Sequence, residues 1–479
     1  MQELVGRQIE RRKLQEILES DEAEMLAVVG RRRIGKTFLI EKVYEKEICF
    51  SLTGSQYATL SEQLENFSRQ MQVFSGEGLL ITTPKSWQDA FFQLSQYFEK
   101  KKYKHKKVIF FDEVPWLATH RSRFLQALAY FWNNWAKNQN LVLIICGSSS
   151  SWMINKVINN KGGLHNRVTR LISLQPFTLA ETRAYFKSRK IKLGAYQIIQ
   201  LYMVMGGVPF YLNQVRPGLS AAQNIDEICF KKDGLLKNEF NNLYPALFEK
   251  AANHIAIIRA LATKWKGLTR KEIVNISKLT DGGTLTNYLN ELEHSGFIGI
   301  YQPFGKSKKD RLYRLTDEYS LFYLKFIENQ RNRSWAKLSQ SQKLKSWQGY
   351  AFEGVCLKHV EQIKIALGIS GISTEESSFL FHGNDAYKGF QIDLLINRQD
   401  NTINLCEMKF CESEFKADKN FVKEVREKIA RFKEQTKTRK TVFFTLITTF
   451  GTQQNQNSLE AIDQHFNMEI LMRPADKKD

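Results

Sequence analysis

Residues Gly30-Arg31-Arg32-Arg33-Ile34-Gly35-Lys36-Thr37 form a basic loop framed by glycines, and its flanks constrain the fold more than any other segment of this 479-residue chain. Met25-Leu26-Ala27-Val28-Val29 reads as a buried strand, and Phe38-Leu39-Ile40-Glu41-Lys42-Val43 has helical periodicity. Strand, loop and helix in that order are the setting of a phosphate-binding turn in an α/β sheet. Gly30 and Gly35 let the backbone wrap phosphates, whose charge then rests on N–H groups at a helix N-terminus. Arg31, Arg32, Arg33 and Ile34 complete the loop. Lys36 would reach the β- and γ-phosphates of ATP, and the Thr37 hydroxyl would ligate magnesium.

A second stretch fits the same frame. Val108-Ile109-Phe110-Phe111-Asp112-Glu113 is an apolar strand ending in two carboxylates, at the edge where a parallel sheet binds its ligands. Asp112 would hold magnesium through water, and Glu113 would polarise the attacking water, the role that separates ATP splitting from ATP binding. The strand Leu141-Val142-Leu143-Ile144-Ile145-Cys146 runs into Gly147-Ser148-Ser149-Ser150, whose hydroxyls either sense the γ-phosphate or simply make a turn. Lys100, Lys101, Lys102, Lys104, Lys106 and Lys107 enter the Asp112 strand from its other end and read as a solvated basic loop.

The length predicts two to four domains. A formal net charge of +20 attracts polyanions, and nucleic acid, DNA first, is the expected partner, with an anionic membrane surface or plain solubility as other uses of the charge. Cys49, Cys146, Cys229, Cys356, Cys406 and Cys411 have no metal-ligand spacing and mostly lie in apolar runs, so they read as buried, reduced thiols rather than a zinc site. The chain opens into a charged helix, and no apolar run approaches the roughly 20 residues of a membrane span. A cytoplasmic location with no membrane partner is expected.

The opening Leu4-Val5-Gly6-Arg7, the Arg-rich loop, Phe111-Asp112-Glu113 and Gly206-Gly207-Val208-Pro209-Phe210-Tyr211-Leu212 together resemble the archaeal-type ATPases of the AAA and STAND group of P-loop proteins. The resemblance covers most of residues 1–330. It implies a P-loop ATPase core over 1–175, a small helical lid over 176–235, ATP and magnesium as cofactors, and assembly into homo-oligomers. It also implies that Gly6 and Arg7 lie near the adenine base and that an arginine after the sensor strand contacts the γ-phosphate, often across a subunit boundary. Arg167 and Arg170 match that position, with Arg167 favoured; a structural salt bridge is the other use of such an arginine.

Residues 236–330 read as a winged helix: helical runs at Ile257–Leu261, Arg270–Val274 and Leu285–Leu292, then strands Phe297–Tyr301 and Arg311–Leu315 around Gly305-Lys306-Ser307-Lys308-Lys309-Asp310. If the module reads DNA, Thr284, Thr286, Asn287 and Asn290 would meet bases and Lys306, Lys308 and Lys309 would clamp phosphates. The alternative is a protein-contact module, since Glu291 and Glu293 are poor company for phosphate. A basic linker over 331–345 follows, within an acid-free stretch from Asn329 to Phe352 that carries Arg331, Arg333, Lys337, Lys343 and Lys345 beside Trp335 and Trp347; it would track a nucleic-acid backbone or merely connect.

The last segment, 346–479, starts with a helix around Glu353 and continues into strands Gln391–Ile396 and Asn404–Phe410 joined by a turn. Glu407 and Lys409 are two apart on a strand and share a face, and Asp393 on the neighbouring strand can lie across from them. Carboxylates converging in this way bind magnesium, which polarises a phosphodiester, while Lys409 neutralises charge on the transition state. With the strand Thr441–Ile447, the constellation resembles the restriction-endonuclease-like PD-(D/E)XK superfamily, an α/β fold. The residue before Asp393 is Ile392 rather than proline, a departure from the motif. The resemblance implies Asp393, Glu407 and Glu353 as metal ligands and Asp393, Glu407 and Lys409 as catalytic residues. The expected protein is an ATPase coupled to a magnesium-dependent nuclease acting on DNA, in defence or genome maintenance. The alternative is a STAND-type signalling or transcription-regulatory switch with an inert nuclease-like domain.

Overall fold

The apolar run before the basic loop is strand β1 (Glu24–Val29), buried at every residue. In the computed structural model, which describes residues 3–76, 82–101, 103–159, 164, 166–328, 335–339, 341–381, 383 and 389–474, it lies within a five-stranded sheet. The other strands are β2 (Ile48–Thr53), β3 (Lys107–Asp112), β4 (Leu141–Gly147) and β5 (Arg170–Ser173), in the order β2-β3-β4-β1-β5 and all parallel. Alternation along the strands splits the core in two. Met25, Ala27, Val29, Phe111 and Ile145 join one apolar cluster, and Leu26, Val28, Phe110, Ile144 and Cys146 the other. Helices cover both faces, which is why these strands read as continuous apolar runs.

By its contacts the chain divides into two compact units, Met1–Pro176 with Asn290–Gly296, and Phe177–Leu289 with Phe297–Asp479. The second unit opens with a helix, Leu179–Ser188, started by a capping box between Thr178 and Glu181. The apolar helix Ala195–Met205 stops at the Gly206-Gly207 break, where a Cβ on Gly207 would stand 1.8 Å from the Phe177 carbonyl oxygen; only glycine passes there. Helices Ala251–Ala262, Arg270–Ser277 and Gly283–His294 precede an antiparallel hairpin of β6 (Ile298–Tyr301) and β7 (Leu312–Leu315), the order expected from sequence.

The C-terminal sheet is mixed. Strands β8 (Thr374–Phe381), β9 (Phe390–Arg398) and β10 (Thr402–Lys409) pair antiparallel, and β10 pairs parallel with β11 (Thr441–Thr448), which pairs parallel with β12 (Gln464–Asn467). The helix Lys419–Thr436 lays Phe421, Val422, Val425 and Phe432 on Leu395, Leu405 and Leu446.

Two expectations are corrected. In the expected linker, 331–334 and 340 lie outside the described residues, as does Asn329, but Trp335–Ser339 is helical and a helix capped by Ser341 runs over Gln342–Lys358. The side chain of Lys337 also lies outside the description. Trp335 and Trp347 are buried against Phe322, with ring centroids at 5.9 and 5.3 Å, so they close a core and are not open to bases. In the lysine run, Lys102 is outside the described residues, whereas Lys106 is buried and donates to the carbonyls of Ile17, Ser20 and Glu22 at 3.0, 2.6 and 2.7 Å. It caps the C-terminal end of the Gln8–Glu19 helix, where a cation offsets the dipole. The cysteines are free thiols, buried except for Cys411, which is partly exposed. Among the described residues, no helix is long and apolar enough to cross a membrane.

Candidate functional site

The basic loop leaves β1 at Gly30, whose φ of 147° and whose neighbours, the Leu174 oxygen at 2.5 Å and Ile34 Cδ1 at 2.6 Å from any added Cβ, admit no side chain. Gly35, at φ 86°, caps the Lys36–Val43 helix. Lys36 is buried, and its ammonium donates to the carbonyls of Gly30 (2.9 Å) and Arg31 (3.1 Å), inside the loop that would hold phosphates. Arg31 is buried and Arg32 and Arg33 half-buried. The Thr37 hydroxyl donates to Asp112 Oδ2 at 2.6 Å, across from the tip of β3. A hydroxyl and a carboxylate this close are two hard oxygen donors of the kind magnesium takes alongside substrate phosphates, so these residues fit the cation. Arg7, in a left-handed conformation at the start of the Gln8–Glu19 helix, donates to the Ile34 carbonyl at 3.3 Å and ties the Gly6-Arg7 segment to the loop.

Glu113 follows Asp112 with φ 47°, a strained value for a residue with a side chain. Its Oε2 accepts from the Ser148 N–H (3.0 Å) and hydroxyl (2.8 Å) at the end of β4. The structure thus sets Ser148 against the expected base, a link absent from the sequence reading because it joins two strand tips 35 residues apart. Arg167 is exposed in the turn before β5, with its backbone N–H on the Leu164 carbonyl, and Arg170 is exposed at the first position of β5.

The second constellation also comes together. Glu353 from the Gln342–Lys358 helix, Asp393 from β9, Glu407 from β10 and Lys428 from the Lys419–Thr436 helix line one cavity of about 250 Å³. The register Cys406↔Leu394 places Asp393 and Glu407 next along the paired strands. Two of the acids already have partners. Glu353 accepts from Arg314 of β7 at 2.6 Å, with both side chains nearly buried (9% and 5% exposed) and the guanidinium over the rings of Tyr301 (5.1 Å) and Trp265 (5.4 Å). Glu407 pairs with Lys428 at 2.5 Å and Lys409 at 3.1 Å. Burial alone would raise the Glu407 carboxyl, but Lys428 and then Lys409 outweigh it and hold the group below the usual carboxylate range.

Asp393 differs. It accepts from the Gln391 amide at 2.8 Å, and burial, reinforced by the neighbouring Glu353 charge, pushes its carboxyl up to about 7 against the pull of Arg314 and Lys266. Lys409, the lysine expected from sequence, also lies over Phe415 and Phe421 at 5.4 and 5.3 Å, while Lys428 is the lysine lining the cavity. Sequence reasoning missed Lys428 and Arg314, since one sits mid-helix and the other in a hairpin 39 residues before its partner. Three carboxylates in one pocket suit a hard cation, but among the described residues no three His, Cys, Asp or Glu side chains close into a metal-holding group.

Thr284, Thr286, Asn287 and Asn290 are exposed on the Gly283–His294 helix, although Thr286 accepts from Arg270 at 3.0 Å. Lys306 and Lys309 are exposed between β6 and β7; the Lys308 side chain lies outside the described residues.

Residues 4–215 match the family of ATPase domains found predominantly in Archaea. An uncharacterized protein of Methanocaldococcus jannaschii is 26% identical over 415 residues, 85% of this chain and 87% of the relative. Among solved structures, a Walker-type ATPase of Pyrococcus abyssi superposes at a TM-score of 0.50 with 18% identity, covering 67% of this chain and 96% of that one. The ORC2 protein of Aeropyrum pernix, solved as ADPNP and ADP complexes, gives a TM-score of 0.42 at 14% identity, over 68% of this chain and 94% of that one, and adds nothing to the fold assignment. Residues 4–215, which run from the first unit into the start of the second, thus match an ATPase domain of archaeal type, and the superposition supports the same fold.

Proposed function

We propose that this chain couples ATP binding and hydrolysis to a magnesium-dependent nuclease acting on DNA, in defence or genome maintenance. At the first site, Lys36 binds the β- and γ-phosphates, and Thr37 and Asp112 hold magnesium, which when bound neutralises phosphate charge. Glu113, oriented by Ser148, accepts the proton of the attacking water. Gly6 and Arg7 border the adenine. The exposure of Arg167 supports a γ-phosphate contact made across a subunit boundary in a homo-oligomer.

The nuclease part is carried by one observation: Glu353, Asp393 and Glu407 line a single cavity with Lys428. Asp393 and Glu407 would hold magnesium there, which supplies Lewis acidity at the phosphodiester. Lys428 neutralises charge that builds on the phosphate, the role expected from sequence for Lys409, and Arg314 holds Glu353 in place. The exposed Asn287, Lys306 and Lys309 support reading the three helices and hairpin as a DNA-contacting winged helix.

The test is cleavage of plasmid, linear duplex and single-stranded substrates with magnesium or manganese, with and without ATP, by the wild type and Asp393→Ala. Cutting that disappears in the variant while ATP turnover persists is expected; cutting that survives removes the site. A second reading, the ATP-dependent switch with an inert domain, is favoured by the ion pairs that already neutralise Glu353 and Glu407 without metal. Absence of cutting under every condition would establish it over the first.

A further inference from the structure

A cavity of about 540 Å³ in the second unit is walled by Arg259, Lys264, Lys266 and Lys325 together with Trp265 and Tyr350. Among the described residues lining it, Glu328 is the only acid, and it is engaged by Arg259 at 2.5 and 2.9 Å. Lys264 is also paired, with Glu272 at 2.8 Å, so Lys266 and Lys325 are the lining cations that add most to a field drawing an anion in. The aromatic pair differs from the tryptophans buried nearby. Tyr350 is 44% exposed, and its ring lies 5.7 Å from Trp265 at 33°. Trp265 is backed by Gly354, where an added Cβ would come within 3.2 Å of its ring, and by the Arg314 guanidinium. It is a fixed backing that leaves Tyr350 available to a planar ligand.

Ser346 and Tyr350 line this cavity and also the acidic one, so the two lie side by side across these residues. Lys266, on the groove wall, acts on the Asp393 carboxylate. Planar stacking beside a file of cations is the chemistry that holds unpaired bases and their phosphates without regard to sequence. The volume falls in the roughly 300–1,000 Å³ range of small-ligand sites, enough for a short stretch of strand, and a duplex keeps its base faces stacked away from Tyr350.

We infer that this groove binds single-stranded nucleic acid by stacking a base on Tyr350 and leads its backbone to the acidic pocket, an inference that rests on the nuclease reading of that pocket.

The test is fluorescence anisotropy of the full chain in chelator, where nothing is cut, with labelled oligodeoxythymidine, oligouridine and a duplex of equal length. Single strands should bind tighter than the duplex, the two oligomers reporting which sugar is preferred. Tyr350→Ala should weaken binding about 5- to 140-fold, the conversion of roughly 1–3 kcal/mol of stacking, and Tyr350→Trp should restore it. Lys266→Glu should weaken binding and flatten its salt dependence by about one unit of slope. Melting midpoints equal to wild type will certify that the variants fold. Unchanged affinity in Tyr350→Ala and Lys266→Glu, a preference for duplex, or a mononucleotide that competes as well as the oligomer would overturn the groove. A chain that binds as expected but never cuts with magnesium or manganese would instead overturn the nuclease reading and leave the groove as a binding site.

Discussion

Arg314→Met should destabilise the second unit far more than its position on a short hairpin suggests. The Arg314 and Glu353 side chains are 5% and 9% exposed and 2.6 Å apart, so removing the cation strands a carboxylate in a poorly hydrated pocket beside Asp393. Breaking a buried pair from one side costs about 3–5 kcal/mol. At about 2–4 °C per kcal/mol for a unit of a few hundred residues or somewhat less, the midpoint should fall on the order of 10 °C. Methionine retains an apolar stem against Trp265 and Tyr301, so the loss reports charge more than packing. Glu353→Leu alone should also be costly, but the double variant leaves no orphaned charge and should recover most of the loss. Urea unfolding in chelator, followed by tryptophan fluorescence, measures all four corners of the cycle. A coupling energy of about 2 kcal/mol or more is expected. Single variants that cost under about 1 kcal/mol, or that add independently, would refute a buried, mutually dependent pair.

The folded Asp393 carboxyl titrates near 7, above its unfolded value near 4, so the native state holds its proton more tightly; that stability is full below about pH 4 and is lost as pH rises through 7. In chelator, the stability of wild type relative to Asp393→Asn should therefore fall between pH 5 and 8, and a pH-independent difference would contradict the assignment. At the first site, Glu113→Gln should retain ATP binding and lose about 10²–10⁴ in kcat, the range for a positioned base, whereas Lys36→Ala should lose binding; turnover assays with equilibrium binding of labelled ATP separate them. In the cleavage assay, Lys428→Ala should lose more activity than Lys409→Ala, because Lys428 lines the cavity; the reverse order would restore the lysine expected from sequence.

The P-loop core was legible in the sequence because its geometry is local. Gly30 to Thr37, the apolar β1 and the β3 tip at Asp112 each carry their signal within a few residues, and the parallel sheet brings them together as that pattern requires. The helices before the β6–β7 hairpin were legible for the same reason, although the Thr269–Glu272 capping box that starts one of them was not read from the sequence. What sequence missed is long-range. Lys106 reads as one lysine in a solvated run until the fold brings the end of the Gln8–Glu19 helix over it. Trp335 and Trp347 stand among cations in the chain yet are taken inward by Phe322. Asp393 and Glu407 were readable from their strand positions and Glu353 from the resemblance, but the cations beside them, Arg314 and Lys428, belong to a hairpin strand and a helix with no motif of their own.

The two readings of the acidic pocket make different demands on its three carboxylates, and Asp393 separates them. Glu353 and Glu407 are accounted for by structure alone, since each has a cation within hydrogen-bonding distance, and the lysines hold Glu407 below its ordinary range. An acid retained only for stability should look like these two, because an unpaired buried carboxylate is a cost that any neutral isostere would relieve. Asp393 accepts from the Gln391 amide and shares a hydrogen bond with Glu353 rather than with a cation, and its ionised form is disfavoured by burial and by Glu353. A carboxyl whose charge the fold disfavours, set in one pocket with two further acids, is a candidate for binding rather than for stability. We propose on that ground that the pocket serves cation-assisted phosphodiester chemistry, with the ion pairs at Glu353 and Glu407 letting the fold tolerate three acids; a chain that binds no magnesium or manganese there would leave the inert reading.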